Sequence, residues 1–278
     1  MTLRIITLSE NTAGKTDVLA EWGLCLLIEA DGQNILLDTG AGISASRNAD
    51  LLGIDLQQID KIVLSHGHFD HTGGLQMLLG KMQREVEIIA HPDIFAPKYN
   101  RPKGKPERYI GVPYQQSLLE SLGARFKLNT GPVKLSENIM TTGEIRMVTD
   151  FESVDRGLFI KTGDGWQPDT VPDDLALTIN TPAGLVVVLG CAHRGMINTL
   201  YMARELTGVD KVYMVVGGCH LKDASEEQIW QTISALNEMG VKKLAVSHCT
   251  GMRATLLLAQ TYGDDFIFNF TGNIIDVT

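Results

Sequence analysis

The sequence predicts an α/β (α+β) protein arranged as a four-layer αβ/βα sandwich over residues 1–278, and three observations carry that prediction. The opening stretch is rich in strand patterns, the second half alternates strand and helix, and a histidine-rich segment, His66–His71, follows directly on a short apolar strand. A chain of 278 residues that is 44% hydrophobic and 21% charged is long and apolar enough for one large domain with a buried multi-layer core.

Taken in order, Leu3 to Leu8 reads as a strand. Gly23 to Glu29 and Asn34 to Asp38 read as a hairpin around Asp31-Gly32, a pair that accepts the positive φ values of a tight turn. Asp60 to Ser65 is a short apolar run ending at the histidines, Gln76 to Met82 reads as helix, and Glu85 to Ala90 as a strand closing at His91-Pro92. Residues 97–113 hold four prolines, two glycines and five cations against one acid, which predicts a loop. Ser117 to Gly123 reads as a short helix and Ala124 to Gly165 as short strands broken by turns, so about 95–170 are expected to form an insertion or lid. Beyond it, Leu175–Asn180, Leu185–Leu189, Lys211–Val216, Lys242–Ser247 and Phe266–Phe270 read as strands. Helices are expected at Ile197–Thr207, Glu226–Met239 and Ala254–Tyr262, and this alternation puts helices outside sheets.

Several function classes are disfavoured. A net charge of -9 opposes general attraction to nucleic acid or anionic lipid. The opening Met1-Thr2-Leu3-Arg4-Ile5-Ile6 shows no charged leader and apolar core of a secretory signal, and no apolar run approaches the about eighteen residues of a membrane span. A cytoplasmic location is expected, with no membrane partner; the oligomeric state is open, a homo-oligomer included. Cys25, Cys191, Cys219 and Cys249 form no Cys-x-x-Cys pair and are expected to be reduced thiols. Three of them lie within two residues of a histidine.

The chemistry concentrates at His66-Gly67-His68-Phe69-Asp70-His71. Three imidazoles and a carboxylate on one tight turn after a buried strand can serve two neighbouring cations, His66 and His68 facing one, Asp70 and His71 the other. Nitrogen and oxygen donors suit zinc first, with iron or manganese as alternatives, so one or two divalent ions are expected. Asp38, at the end of the hairpin strand, is placed to orient a ligating histidine from behind, whereas His91 beside Pro92 reads as structural or as a support behind a ligand.

The strand-then-His-x-His-x-Asp-His pattern, preceded by Ile35-Leu36-Leu37-Asp38-Thr39-Gly40, resembles the metallo-β-lactamase superfamily. Leu64–Leu75, Pro172–Leu177, Gly184–His193, Gly217–Leu221 and Ser247–Gly251 resemble one subgroup of it. Its members are described as metal-dependent hydrolases of β-lactamase superfamily II or as 7,8-dihydropterin-6-methyl-4-(β-D-ribofuranosyl)-aminobenzene-5'-phosphate synthase-like proteins. The resemblance implies the metallo-β-lactamase fold, with His66 and His68 on a first metal site and Asp70, His71 and His248 on a second. Asp174 falls where the family has a histidine, which makes the site less rich in nitrogen. Where the family has a bridging aspartate this chain has Gly190-Cys191-Ala192-His193; either Cys191 or His193 supplies that ligand, with His193 favoured.

The function expected is a metal-dependent hydrolase that activates water against a small anionic, phosphorylated compound. Asp70 would hold the nucleophile's proton, and His220 or His193 would protonate the leaving group; His220 alternatively ligates metal or bonds a loop. From the basic loop containing Lys98 and Arg101, the residues Lys103, Lys105, Arg108 and Tyr109 are expected to bind the substrate's anion. The alternatives are a transferase of the synthase type, in which a diphosphate leaves and an aromatic compound attacks, and a metal-binding protein without catalysis.

Overall fold

Strand β1 (Leu3–Ser9) pairs antiparallel with β2 (Cys25–Ala30), which turns at Asp31-Gly32 into β3 (Gln33–Leu37). Helix α1 (Ser44–Leu51) leads to β4 (Lys61–Val63), parallel to β3, and the histidine segment then runs through the short helix α2 (Phe69–Thr72) into α3 (Leu75–Met82) and β5 (Val86–Ala90). The chain continues through β6 (Lys98–Asn100), β7 (Arg108–Tyr109), α4 (Gln116–Ser121), β8 (Ala124–Leu128), β9 (Ile139–Thr141), β10 (Leu158–Thr162) and β11 (Gly165–Pro168). It closes with β12 (Ala176–Thr181), β13 (Gly184–Leu189), α5 (Met196–Thr207), β14 (Val212–Gly218), α6 (Glu226–Glu238), β15 (Lys243–Ser247), α7 (Met252–Tyr262) and β16 (Ile274–Val277). This computed structural model describes residues 2–277; Met1 and Thr278, the ends of the unit expected over 1–278, lie outside the described residues.

Two large sheets result, one in the order β16-β1-β2-β3-β4-β5-β8 and one in the order β15-β14-β13-β12-β9. Side-chain alternation explains why they stack. Leu26 and Ile28 of β2 and Val186 and Val188 of β13 belong to the core between the sheets. Leu27 and Leu36 turn the other way, onto Ala45 of α1 and Leu75 and Leu78 of α3. Val187 and Leu189 likewise face α5, α6 and α7 through Ile197, Leu200, Ile229 and Leu258. Burying each such Leu, Ile or Val contributes about 1.5–3 kcal/mol. The outcome is the expected helix–sheet–sheet–helix sandwich.

Helix ends are fixed locally. Ser225 accepts from the Gln228 N–H at the start of α6, where Glu226 and Glu227 also face the positive end of the helix dipole. At α5 no side chain of the helix caps it; instead the buried Glu152 accepts from the N–H groups of Ile197 and Asn198.

The structure revises two expectations and adds two elements. Phe266–Phe270 is not a strand: Phe266 makes one isolated bridge to Leu244, and the chain then crosses to the other sheet, where β16 pairs antiparallel with β1. Neither α1 nor β16 was read from the sequence. The segment at 95–170 also divides. β6, β7, β10 and β11 form a separate sheet, in the order β11-β10-β6-β7, whereas β8 and β9 complete the edges of the two large sheets.

Candidate metal centre

Every strand that carries chemistry ends at the same edge of the sandwich. β3 delivers Asp38, β4 leads through Leu64-Ser65 to His66, β13 to Cys191 and His193, β14 to His220, and β15 to His248. The parallel register of β3 with β4 and of β13 with β14 and β15 makes these ends coincide. Four non-glycine residues there have left-handed backbone: Asp38 (φ 61°), Ala192 (φ 52°), His220 (φ 48°) and His248 (φ 55°). Such conformations cost about 1–3 kcal/mol each and persist where the surroundings hold them, characteristically at working sites. Two strand ends also approach too closely for a side chain at Gly190, where a Cβ would lie 2.0 Å from Ser65 Oγ.

The ligand-type atoms gather into two groups that share one sulfur. His66, His68 and His193 have ring nitrogens within 4.8 Å of one another, and so do the ligand atoms of Asp70, His71 and His248. Cys191 Sγ completes a triad with His66 and His71, another with His193 and His220, and a third with His248 and Cys249. His66 Nε2 lies 3.0 Å from His68 Nδ1 and 3.2 Å from His193 Nε2, and His71 Nε2 lies 3.0 Å from Cys191 Sγ. His68 Nε2 and His248 Nε2 are buried without a hydrogen-bond partner, an arrangement that a cation resolves. Divalent ions therefore fit these residues, His66, His68 and His193 holding one and Asp70, His71 and His248 another, with Cys191 reaching both.

Burial and charge prepare the donors. Burial pushes His68 down to about 3, and it likewise drives His66 and His193 well below the ordinary imidazole range, leaving neutral rings with free lone pairs. Burial would also lower His71, but Asp38, 2.6 Å from its Nδ1, lifts it to about 9. Asp70 would rise on burial, yet His248 and His71 hold it below its ordinary value as a carboxylate.

A ring of buried polar groups aims the ligands. Asp38 accepts from the Ser65 N–H at 2.7 Å and from Ser65 Oγ at 2.7 Å, and Ser65 Oγ stands 2.9 Å from His66 Nδ1. Glu10 accepts from the His248 N–H, and Asn11 Oδ1 lies 2.9 Å from His248 Nδ1. Asp173 Oδ2 accepts from the N–H of Gly67, between His66 and His68. Loss of such an outer partner typically costs 10–100-fold in metal affinity. Asp38→Asn is expected to weaken metal binding by about that factor, read by competition with a chromogenic chelator; unchanged affinity would remove Asp38 from this role.

Several expected residues fall elsewhere. Asp174 lies outside the ligand triads: its Oδ2 accepts from the Arg194 N–H at 2.7 Å, next to His193, while its buried Oδ1 has no partner. Burial raises Asp174 to about 7 against the opposing bond from Arg194. Lys105 and Arg108 line a cavity of about 860 Å³ over the cluster, bounded by the small sheet on one side. Lys103 and Tyr109 do not line it; the Tyr109 hydroxyl donates to the Val112 carbonyl three residues on, and its ring packs on Tyr99 of the small sheet. Lys98 is a buried ion-pair partner of Asp169 and Asp173, not a solvated member of the basic loop. His91 pairs with Glu144 and accepts from the Asp93 N–H, a structural position. The sequence reading missed the roles of Glu10, Asn11, Trp22 and Lys222, none of which belongs to a local spacing pattern, and that of Asp173, which lies in the Pro172–Leu177 segment beside the expected ligand Asp174.

A four-layer αβ/βα sandwich with a histidine, aspartate and cysteine cluster at its strand ends defines a metallohydrolase-type scaffold, and the chain belongs to the metallo-β-lactamase superfamily, whose family description matches residues 23–248. It is 36% identical to a 7,8-dihydropterin-6-methyl-4-(β-D-ribofuranosyl)-aminobenzene-5'-phosphate synthase of Methanocaldococcus jannaschii, over 98% of this chain and 96% of that protein. It is also similar to the crystal structure of a metal-dependent hydrolase of the β-lactamase superfamily, with TM-score 0.87, 26% identity and 99% of both chains covered. A diphosphatase of the PhnP family, 12% identical with TM-score 0.55 over 100% of this chain and 98% of its own, shares the fold.

Proposed function

We propose that this protein is a metal-dependent transferase of the same type as its methanogen relative, joining an aromatic phosphorylated compound to a second ring compound as an anionic group leaves. The observation behind this reading is the 36% identity to a synthase across 98% of the chain. That span takes in the small sheet beside the cavity as well as the histidine cluster. Bound divalent ions, zinc, iron or manganese, would supply charge neutralisation for the departing group or, with water as nucleophile, acidify that water.

The residues of the chain supply the rest. Lys105, Arg108 and Lys222 all line the cavity and are placed to hold anionic oxygens. His220 lines the same cavity; burial works against its charge, but Cys249 raises it above its ordinary value, and its place in the cavity wall lets it serve as the donor of a proton to the leaving group. Asp70 is placed to take a proton from the attacking group, and His193 shares the cavity wall beside it. A second reading, a hydrolase acting on a small phosphorylated compound, has the 26% identical hydrolase structure in its favour. Incubating the metal-loaded protein with a dihydropterin diphosphate and an aminobenzene ribofuranosyl phosphate separates the two. Coupled product is expected; release of free alcohol and diphosphate alone would replace the transferase reading with the hydrolase one.

A further inference from the structure

Trp22 is an unusual residue in the cavity wall. The residue is 44% exposed although it belongs to a segment pinned on both sides, the Glu21 N–H donating to the Glu10 carbonyl and the Leu24 N–H to the Asp70 carbonyl. Glu21 in turn accepts from the N–H groups of Gly42, Ile43 and Ser44 at the start of α1. Gly23 has no room for a side chain, because a Cβ would stand 2.6 Å from the Asp70 carbonyl. The indole's polar end is satisfied as well: Nε1–H donates to Asp70 Oδ2 at 2.9 Å. The ring also packs against the His248 imidazole, centroids 5.2 Å apart, and its remaining exposed surface lines the cavity.

The surroundings say what such a surface would recognise. Lys222 Nζ stands 4.7 Å from the centroid of the Trp22 ring, and Arg108 stacks its guanidinium 4.8 Å over Phe69 in the same cavity. A cavity of about 860 Å³ exceeds what one phosphate needs and suits a ligand of drug size. We propose that Trp22 and Lys222 form a subsite for a flat heteroaromatic ring bearing, or lying next to, an anionic group, the indole stacking on the ring and the ammonium meeting the anion. Lys222 is long and flexible, so it can move from the indole to the anion as the ring arrives. This inference rests on the transferase reading for the identity of the ring, and it places the pterin-like partner beside Asp70.

Because Trp22 also touches a metal-site carboxylate, the test must separate stacking from positioning. Metal-loaded protein is titrated with pterin-6-carboxylate, and separately with inorganic phosphate, by isothermal titration calorimetry, with metal content measured for every variant. Trp22→Phe keeps a ring but loses the N–H; Trp22→Leu loses both. Pterin-6-carboxylate is expected to bind the wild type and Trp22→Phe within a few-fold of each other and Trp22→Leu roughly 5- to 150-fold more weakly, with phosphate unaffected. Equal weakening in Phe and Leu variants would show that Trp22 acts only through Asp70 and would overturn the subsite. So would unchanged binding in Trp22→Leu, or no binding by the wild type. If ring binding behaves as expected while no coupled product forms, the subsite stands and the transferase reading falls.

Discussion

Replacing His66 by alanine is expected to give a folded protein that no longer retains its full metal complement and turns over roughly a thousandfold more slowly, or worse. His66 is fully buried at the centre of the cluster, with His68, His71 and His193 rings 4.2–4.7 Å from its own. Its loss removes one donor of the first triad and breaks the triad with His71 and Cys191. Metal ions typically supply several kcal/mol of charge stabilisation, and about 4 kcal/mol corresponds to the thousandfold figure. Metal analysis after desalting, paired with the coupling assay, checks the result. A variant with wild-type metal content and turnover would show that the histidine cluster is not the metal centre.

The second large effect concerns stability. Lys98 Nζ lies 3.0 Å from Asp169 and 2.8 Å from Asp173, with side chains only 1%, 2% and 0% exposed. Lys98→Met leaves two carboxylates buried around an apolar chain, and removing one partner of such a buried pair costs about 3–5 kcal/mol. The denaturation midpoint should fall accordingly, whereas neutralising all three residues together should cost much less. Linkage gives a pH signature too. Burial already pushes Asp173 above its ordinary value, with Lys98 opposing it. An acid raised in the folded state stabilises below its unfolded pKa and loses that contribution as pH rises through the folded value. Without Lys98 the penalty should therefore be smallest at acid pH and grow towards neutrality. A Lys98→Met protein as stable as wild type at pH 7 would refute the account. The same ion pair has a local consequence, because Asp173 also holds the Gly67 N–H and so links β6 of the small sheet to the metal turn.

How much of this was legible beforehand varies with the range of the interaction. The short apolar runs of β2 and β13 and the succession of strand and helix patterns through α5, α6 and α7 are local signals, and they led to the observed layers. Phe266–Phe270 carried the composition of a strand, but a strand needs a neighbour, and here the backbone turns away after a single bridge. The division of 95–170 was hidden for the same reason: whether β8 extends one sheet or joins β6 depends on pairing across distance, not on composition. In the site, the contiguous run from His66 to His71 announced itself, and Lys105 and Arg108 proved to face the cavity. Lys98, two residues from Asn100 in the same basic stretch, points inward instead, because two carboxylates more than seventy positions away await it.

By itself, the sequence determined the layer order and the presence of a turn dense in metal-ligand side chains, since period and ligand spacing act within a few residues. Only the tertiary structure decided that Cys191 stands between the two ligand groups, that Asp174 faces Arg194, and that Trp22 stays exposed beside Asp70. Those outcomes depend on how parallel strand ends from separate sheets meet in space, and side chains brought together that way leave no trace in local spacing.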